Sequence, residues 1–233
     1  MKTIAVIPTY NEGDNIGALL RAILKADSDI HIVVVDDQSS DNTAQIIKNL
    51  SLSEPRVHFI EKITPRTGRA AADIMGMQFA LMNGFDCILQ MDADFSHQPE
   101  HIPQFLQAIR NHDVVIGSRL IQGGRIEGRG LGRNIMTLAA NRYIRFILGL
   151  KTHDCTSGFR CYKSDVLQAV GLGGMISTGP SLLEEILFAC QKKHFDVHEI
   201  PITFKDRAAG QSKLDIEELT KVFLTILKIR WKR

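Results

Sequence analysis

The sequence predicts an α/β fold built on a mixed, mostly parallel sheet flanked by helices, in one domain over residues 1–233. Three observations predict it. Short apolar, β-branched runs alternate with segments of helical period through the first half. Clusters of polar residues follow the first, second and fourth of those runs. Finally, 44% hydrophobic and 23% charged residues is the balance of an ordinary globular chain, with no repeat or low-complexity linker dividing it.

Taken in order, strands are expected at Ile4 to Ile7, Ile32 to Val35, Val57 to Ile60, Cys87 to Met91 and Val114 to Gly117. Helices are expected between them, at Ile16 to Ala26, Thr43 to Leu50, Ala70 to Asn83 and Pro99 to Asn111, which is the rhythm of parallel βαβ units. The second half reads as helices near Arg133 to Gly149 and Leu182 to Lys193, a strand near Val197 to Phe204, and a helix near Asp215 to Lys232. In an open sheet of this kind ligands bind beyond the carboxyl ends of strands, so the three polar clusters should converge on one crevice.

Bulk properties exclude several classes. A net charge of +2 argues against nucleic-acid binding, which normally needs a strong basic excess. The charge is uneven, however: between Arg119 and Lys151 seven basic side chains stand against Glu127 alone, which points to an anion-binding task in that segment. Cys87, Cys155, Cys161 and Cys190 form no CxxC pair or zinc spacing and read as buried thiols of a reducing compartment. The run Thr3 to Ile7 is too short for a signal peptide, and no apolar stretch reaches the roughly 18 to 20 residues that cross a bilayer. A cytoplasmic location is expected, peripheral on the cytoplasmic face of a membrane.

The chemistry lies in the polar clusters. Gln90-Met91-Asp92-Ala93-Asp94-Phe95-Ser96-His97 delivers two carboxylates one residue apart from a strand end. A divalent cation bridging them to a diphosphate removes their repulsion, and Mg²⁺ or Mn²⁺ suits such hard oxygens. The same pair can equally form a solvated acidic turn or cap a helix. In Val35-Asp36-Asp37-Gln38-Ser39-Ser40-Asp41-Asn42-Thr43, Asp37 is suited to a nucleobase or ribose, and Asp41 or Asn42 to capping the next helix. Tyr10 and Glu12, after Pro8-Thr9, suit stacking on a base and holding ribose hydroxyls, or a simple turn. Arg119, Arg207 and Lys213 stand in Gly- and Ser-rich loops suited to phosphate, and Arg133 can serve similarly.

Together, Ile7-Pro8-Thr9-Tyr10-Asn11-Glu12, Val35-Asp36-Asp37 through Asp41-Asn42-Thr43, and Met91-Asp92-Ala93-Asp94-Phe95-Ser96-His97-Gln98-Pro99 resemble family 2 glycosyltransferases of the GT-A fold. More narrowly, the chain resembles polyprenol-phosphate mannose synthases along nearly all its length. Ile116-Gly117-Ser118-Arg119, Thr156-Ser157-Gly158-Phe159-Arg160 and Asp206-Arg207 to Gly210-Gln211-Ser212-Lys213-Leu214 carry the match onward. The resemblance implies that Pro8, Tyr10, Glu12 and Asp37 contact the nucleoside of a donor such as GDP-mannose, and that Asp92 and Asp94 hold the metal. Ser96, where relatives often have Gln or Ser, would be a weaker third ligand. Arg119, Arg207, Ser212 and Lys213 would meet the donor diphosphate or a polyprenyl phosphate acceptor. Residues 1–118 then form the nucleotide and metal half, and 119–233 the acceptor half.

The sequence departs from the family at Thr64-Pro65-Arg66-Thr67-Gly68-Arg69-Ala70, where Arg69 replaces the second glycine of a basic, Gly-rich loop. Donor base and sugar are therefore open, a UDP-sugar such as UDP-glucose being the alternative. The resemblance implies an inverting displacement. A phosphate acceptor is already anionic and needs no general base, only positioning. A hydroxyl acceptor would need one, and Glu184 and Glu185 are the candidates, although solvated helix glutamates are the expected reading.

The segment Asn134 to Leu148 and the C-terminal helix ending in Lys228-Ile229-Arg230-Trp231 both combine apolar faces with basic heads suited to anionic lipid. Packing against the core is the alternative. Many relatives continue into transmembrane helices, so a peripheral form helped by a separate membrane partner is expected. An aspartyl-phosphate phosphatase with Asp92 as nucleophile is disfavoured, because that motif usually follows the first strand. A dinucleotide oxidoreductase lacks GxGxxG after its first strand. A non-catalytic nucleotide-binding protein has no need of both carboxylates.

Overall fold

The computed structural model describes residues 1–62, 68–206 and 216–231, with backbone alone at 216–219. Its first half runs β1 (Thr3–Thr9), α1 (Ile16–Ala26), β2 (His31–Asp36), α2 (Thr43–Ser53), β3 (Val57–Glu61), α3 (Arg69–Met82) and β4 (Cys87–Gln90). There follow α4 (Ile102–Ala108), β5 (Val114–Ser118), β6 (Arg125–Glu127), α5 (Leu131–Leu148), β7 (Arg160–Lys163) and α6 (Ser164–Val170). The chain continues through α7 (Leu182–Lys192), β8 (Val197–Pro201), β9 (Thr203–Lys205) and α8 (Ile216–Trp231).

Among the described residues the main sheet has seven strands in the order β3-β2-β1-β4-β7-β5-β8, all parallel except β7. Its central strands are apolar on both faces because helices cover both. Ala5, Ile7, Ile32 and Val34 point to the side of α1 and α4, where Leu19, Leu20, Ile23 and Phe105 meet them. Ile4, Val6, Val33 and Val35 point to the other, against Met77 and Ala80 of α3 and Ile186 of α7. The period-2 alternation of β1 and β2 thus divides one sheet between two cores. Gly76 lets α3 lie close on β1: a Cβ there would come within 2.4 Å of the Val6 side chain.

Besides β6 and α6, which the sequence pattern does not announce, three elements differ from expectation. The run Val197 to Phe204 is two strands, because the chain leaves the main sheet at Ile202 and β9 pairs with β6 in a small second sheet. The Pro99 to Asn111 helix begins as a 3₁₀ turn, Pro99–His101, and only Ile102–Ala108 is α-helical. The third is β7, which the pattern conceals. It enters antiparallel between β4 and β5, led by the fully buried Arg160, whose charge breaks the apolar run that announces a strand. That guanidinium donates to three carbonyl oxygens, those of Ser157, Leu183 and Cys155.

Candidate functional site at the carboxyl ends of the strands

The carboxyl ends of β1, β2 and β4 open on a cleft of about 910 Å³. Pro8, Tyr10 and Glu12 line it from the first polar cluster, Asp37 from the second and Asp92 from the third, so the predicted convergence is present. Gly68, Arg69 and Ala72 of the α3 start, the segment 178–181, and Lys221, Val222 and Thr225 of α8 complete the wall. Each of the three strand-end loops holds one non-glycine residue with left-handed φ: Asn11 at 55°, Gln38 at 55° and Phe95 at 59°. Such conformations persist only where surrounding structure fixes them, and here they turn each loop back over the sheet.

Hydrogen bonds tie the first two loops together. Asp36, fully buried, accepts from Thr9 Oγ1 at 3.0 Å and from the Ser39 N–H at 2.9 Å. Asn11 Oδ1 accepts the Ser40 N–H at 2.8 Å, and the Glu12 N–H donates to Thr43 Oγ1 at 2.9 Å. Asp41 accepts from the Thr43 N–H at the start of α2 and from the Gly13 N–H, each at 3.0 Å. Although burial opposes it, these donors hold the Asp41 carboxyl below its ordinary value. Asn42 makes no capping side-chain bond, so the cap role falls to Asp41.

Asp37 meets a cation that sequence reading overlooked. Lys62 Nζ lies 2.7 Å from Asp37 Oδ1, and the lysine is only 2% exposed. Strand register explains the pair: Asp36 pairs with Glu61 in the parallel register of β2 and β3, which puts the next residues, Asp37 and Lys62, side by side.

The third loop is a tight turn. The Ser96 N–H donates to Asp94 Oδ1 at 2.9 Å, and the Asp92 N–H donates to His97 Nδ1 at 3.0 Å. His97 is buried, stacked on Phe159 and edge-on to Phe204, and burial lowers its pKa, so the ring is neutral with its proton on Nε2. Ser96 is buried beneath the turn, its carbonyl accepting the Lys205 N–H at 3.1 Å. Across the cleft, Arg69 forms an ion pair with Asp92 and stands 3.5 Å from Asp73, one turn along its own helix.

Among the described residues no group of three or more His, Cys, Asp or Glu side chains converges on a metal position. Two neighbouring carboxylates nevertheless fit a small divalent cation of the kind that takes one or two protein carboxylates and completes its shell with substrate phosphate and water. Asp92 lines the cleft and Asp94 follows in the same turn.

In the second half of the chain, Arg119 is buried and forked onto Asp154, its Nε and Nη2 each 2.7 Å from a carboxylate oxygen, with Thr156 Oγ1 2.6 Å from Nη2. Arg129 and Arg133 share Asp206, at 3.3 and 2.9 Å. Against the pull of burial, the two guanidinium groups hold the Asp206 carboxyl low. Arg119 and Arg129 both lie over the Phe204 ring, at 5.3 and 4.9 Å. Arg129 and Asp154 were not predicted. Arg207, Ser212 and Lys213 lie outside the described residues.

The expectation of solvated glutamates on α7 is overturned: Glu184 and Glu185 are both buried and neither lines the cleft. Burial pushes the Glu184 carboxyl up to about 7. Glu185 accepts the N–H groups of Ile176 and Ser177 at 3.0 and 2.9 Å, bracing the segment that leads into the cleft wall. The four cysteines are buried free thiols, and burial pushes Cys155 and Cys190 up to about 12, which removes them from nucleophilic chemistry.

Residues 4–171 match the sequence profile of Glycosyl transferase family 2. The chain is 36% identical over 215 residues to a polyprenol monophosphomannose synthase of Mycolicibacterium smegmatis, covering 91% of this chain and 81% of that protein. It is 36% identical over 214 residues to an undecaprenyl-phosphate mannosyltransferase of Micrococcus luteus, covering 92% and 88%. Among solved structures it resembles Mycobacterium tuberculosis glucosyl-3-phosphoglycerate synthase in complex with Mn²⁺, UDP-glucose and phosphoglyceric acid, with a TM-score of 0.69 over 98% of this chain and 79% of that one. At 16% identity that likeness establishes the fold alone.

Proposed function

Since the chain belongs to glycosyl transferase family 2 and is a glycosyltransferase, we propose that it moves a mannosyl group, with inversion, from GDP-mannose to a polyprenyl phosphate. One observation carries the reading. The cleft that gathers Tyr10, Glu12 and Asp37 ends on Asp92, so a nucleoside held by the first three directs its diphosphate to the carboxylate turn. The two relatives named for mannosyl transfer to polyprenyl or undecaprenyl phosphate span nearly the whole chain and support the lipid phosphate as acceptor.

Within this reading Pro8 and Tyr10 pack on the base, and Glu12 and Asp37 hold its polar edge or the ribose, Lys62 fixing Asp37 in place. Asp92 and Asp94, with Ser96 beside them, would hold Mg²⁺ or Mn²⁺. Such a cation neutralises charge developing on the departing diphosphate. Arg133, with Arg207, Ser212 and Lys213 beyond the described residues, would position the acceptor phosphate, while Arg119, buried and forked onto Asp154, would act by bracing the loop after β5 and not by direct contact. The phosphate oxygen is already anionic and attacks without a general base. The burial of Glu184 and Glu185 away from the cleft supports this acceptor over a hydroxyl.

A lipid acceptor asks for a lipid surface. On α5, Leu131 is 82% exposed and Phe146 85%, with Ile135 and Leu138 also exposed and Arg133, Arg142 and Arg145 the charged residues of that helix. On α8, Trp231 is 73% exposed, beside Phe223, Leu224, Lys228 and Arg230. Tyr143 stacks on Phe223 at 4.2 Å and joins the two helices. Apolar side chains interleaved with cations suit an anionic membrane surface. No helix among the described residues is long and apolar enough to cross a membrane. A peripheral seat on the cytoplasmic face, aided by a separate anchoring partner, completes the proposal on the strength of those two faces.

The test is incubation with radiolabelled GDP-mannose or UDP-glucose, Mg²⁺ and polyprenyl phosphate, followed by organic extraction. Lipid-soluble label from GDP-mannose is expected. Label passing only to a sugar or protein hydroxyl would refute the lipid acceptor, and label from UDP-glucose alone would refute the donor.

A further inference from the structure

The residue that departs from the family loop, Arg69, is engaged at the carboxylate turn. Its guanidinium pairs with Asp92, while its Nε stays 3.5 Å from Asp73, which is buried on the next turn of α3. Gly68 precedes it at φ 84°, and a Cβ at Gly68 would stand 2.6 Å from the Thr178 carbonyl oxygen, so the start of α3 is pinned between two walls of the cleft. Arg69 therefore projects from a fixed helix end.

We infer that Arg69 is a built-in occupant of the metal carboxylate, which Asp92 releases only when a donor diphosphate offers the guanidinium another anion. This rests on Asp92 and Asp94 being the metal ligands. A guanidinium in contact with Asp92 fills one of its lone-pair directions and repels a divalent cation arriving at the same oxygen. A diphosphate changes the balance, because its oxygens accept the planar fork as well as a carboxylate does and its charge accommodates both cations. Asp73 stays within ion-pair distance of Nε, so the transfer from Asp92 to phosphate needs only a rotation of one side chain. Metal alone then binds weakly, nucleotide alone binds through Arg69, and the two together bind cooperatively.

The experiment reads binding and not turnover. Mn²⁺ alone is titrated into the protein, free ion being followed by its electron paramagnetic resonance, and GDP and UDP are titrated by calorimetry with and without Mn²⁺. Arg69→Gln is expected to bind Mn²⁺ alone about tenfold more tightly and metal-free nucleotide about tenfold more weakly, an ordinary size for coupling between two ligands. Unchanged or weaker Mn²⁺ binding in Arg69→Gln, or unchanged metal-free nucleotide binding, overturns the inference. Asp94→Asn separates the two layers: if it leaves Mn²⁺ binding intact, the metal assignment fails and takes this inference with it. Should Arg69→Gln not fold because Asp73 is left buried and unpaired, the Arg69→Gln/Asp73→Asn double variant carries the same comparison.

Discussion

The buried imidazole of His97 accepts the backbone N–H of Asp92 at 3.0 Å, so the orientation of the first carboxylate in the turn is set by a ring stacked on Phe159 in the core. The link places part of the site's geometry under the control of packing. His97→Ala leaves a cavity and an orphaned N–H together, at a cost of about 2–4 kcal/mol. Urea unfolding should show that loss, with a fall in activity larger than the fall in folded fraction.

Asp94→Asn isolates charge from shape. The amide oxygen can still accept the Ser96 N–H, so the turn and the melting temperature should survive. Activity should fall by about 100-fold or more, the size seen when one electrostatic contact to developing charge is removed. Full activity in this variant would show that the carboxylate is not a metal ligand.

Lys62→Met removes a cationic partner of Asp37 while filling the same space. Because Asp37 keeps some access to water, the stability loss should be about 1–3 kcal/mol, below that of a fully enclosed pair. The functional expectation is a raised KM for the donor with kcat little changed, since under the proposed function the pair would hold the nucleoside and not the reacting carbon.

Glu184 predicts a pH dependence. Its carboxyl is pushed from 4.5 up to about 7 by burial, so across that interval the folded chain keeps a proton that the unfolded chain has lost. Stability from this group is complete below about pH 4.5 and declines as pH rises to 7, by about 3 kcal/mol at most. Glu184→Gln should flatten that decline, which urea titrations at the two ends of the interval would measure.

Phe146→Ser and Trp231→Ser should each weaken co-sedimentation with vesicles containing anionic lipid by about tenfold, given about 1.5–3 kcal/mol for burying a large apolar side chain. Neither lines the cleft, so nucleotide affinity in the absence of lipid should be unchanged.

What could be read from sequence followed from how plainly each residue declares its surroundings. β1, β2 and β4 are apolar runs with no competing signal, and their ends carry the three polar clusters into one cleft as expected. Tertiary burial of charge is what escaped. Arg160 and Glu184 are polar by composition and interior by position, which hid β7 and made α7 look solvated. Lys62, Asp154 and Arg129 escaped for a related reason, since their significance is a partner that only strand register or long-range packing supplies.

The antiparallel entry of β7 between β4 and β5 has a consequence for assembly. β1, β2 and β3 pair through short crossovers and can form early, but β4 keeps an open edge until residues some seventy positions downstream return to fill it. Contacts that distant are slow to close, because chain entropy is lost before they reward it. A growing chain would thus shape the loops that follow β1 and β2 well before the carboxylate turn at the end of β4 has a complete sheet beneath it. The loops after β1 and β2 precede, in folding time, the turn that follows β4.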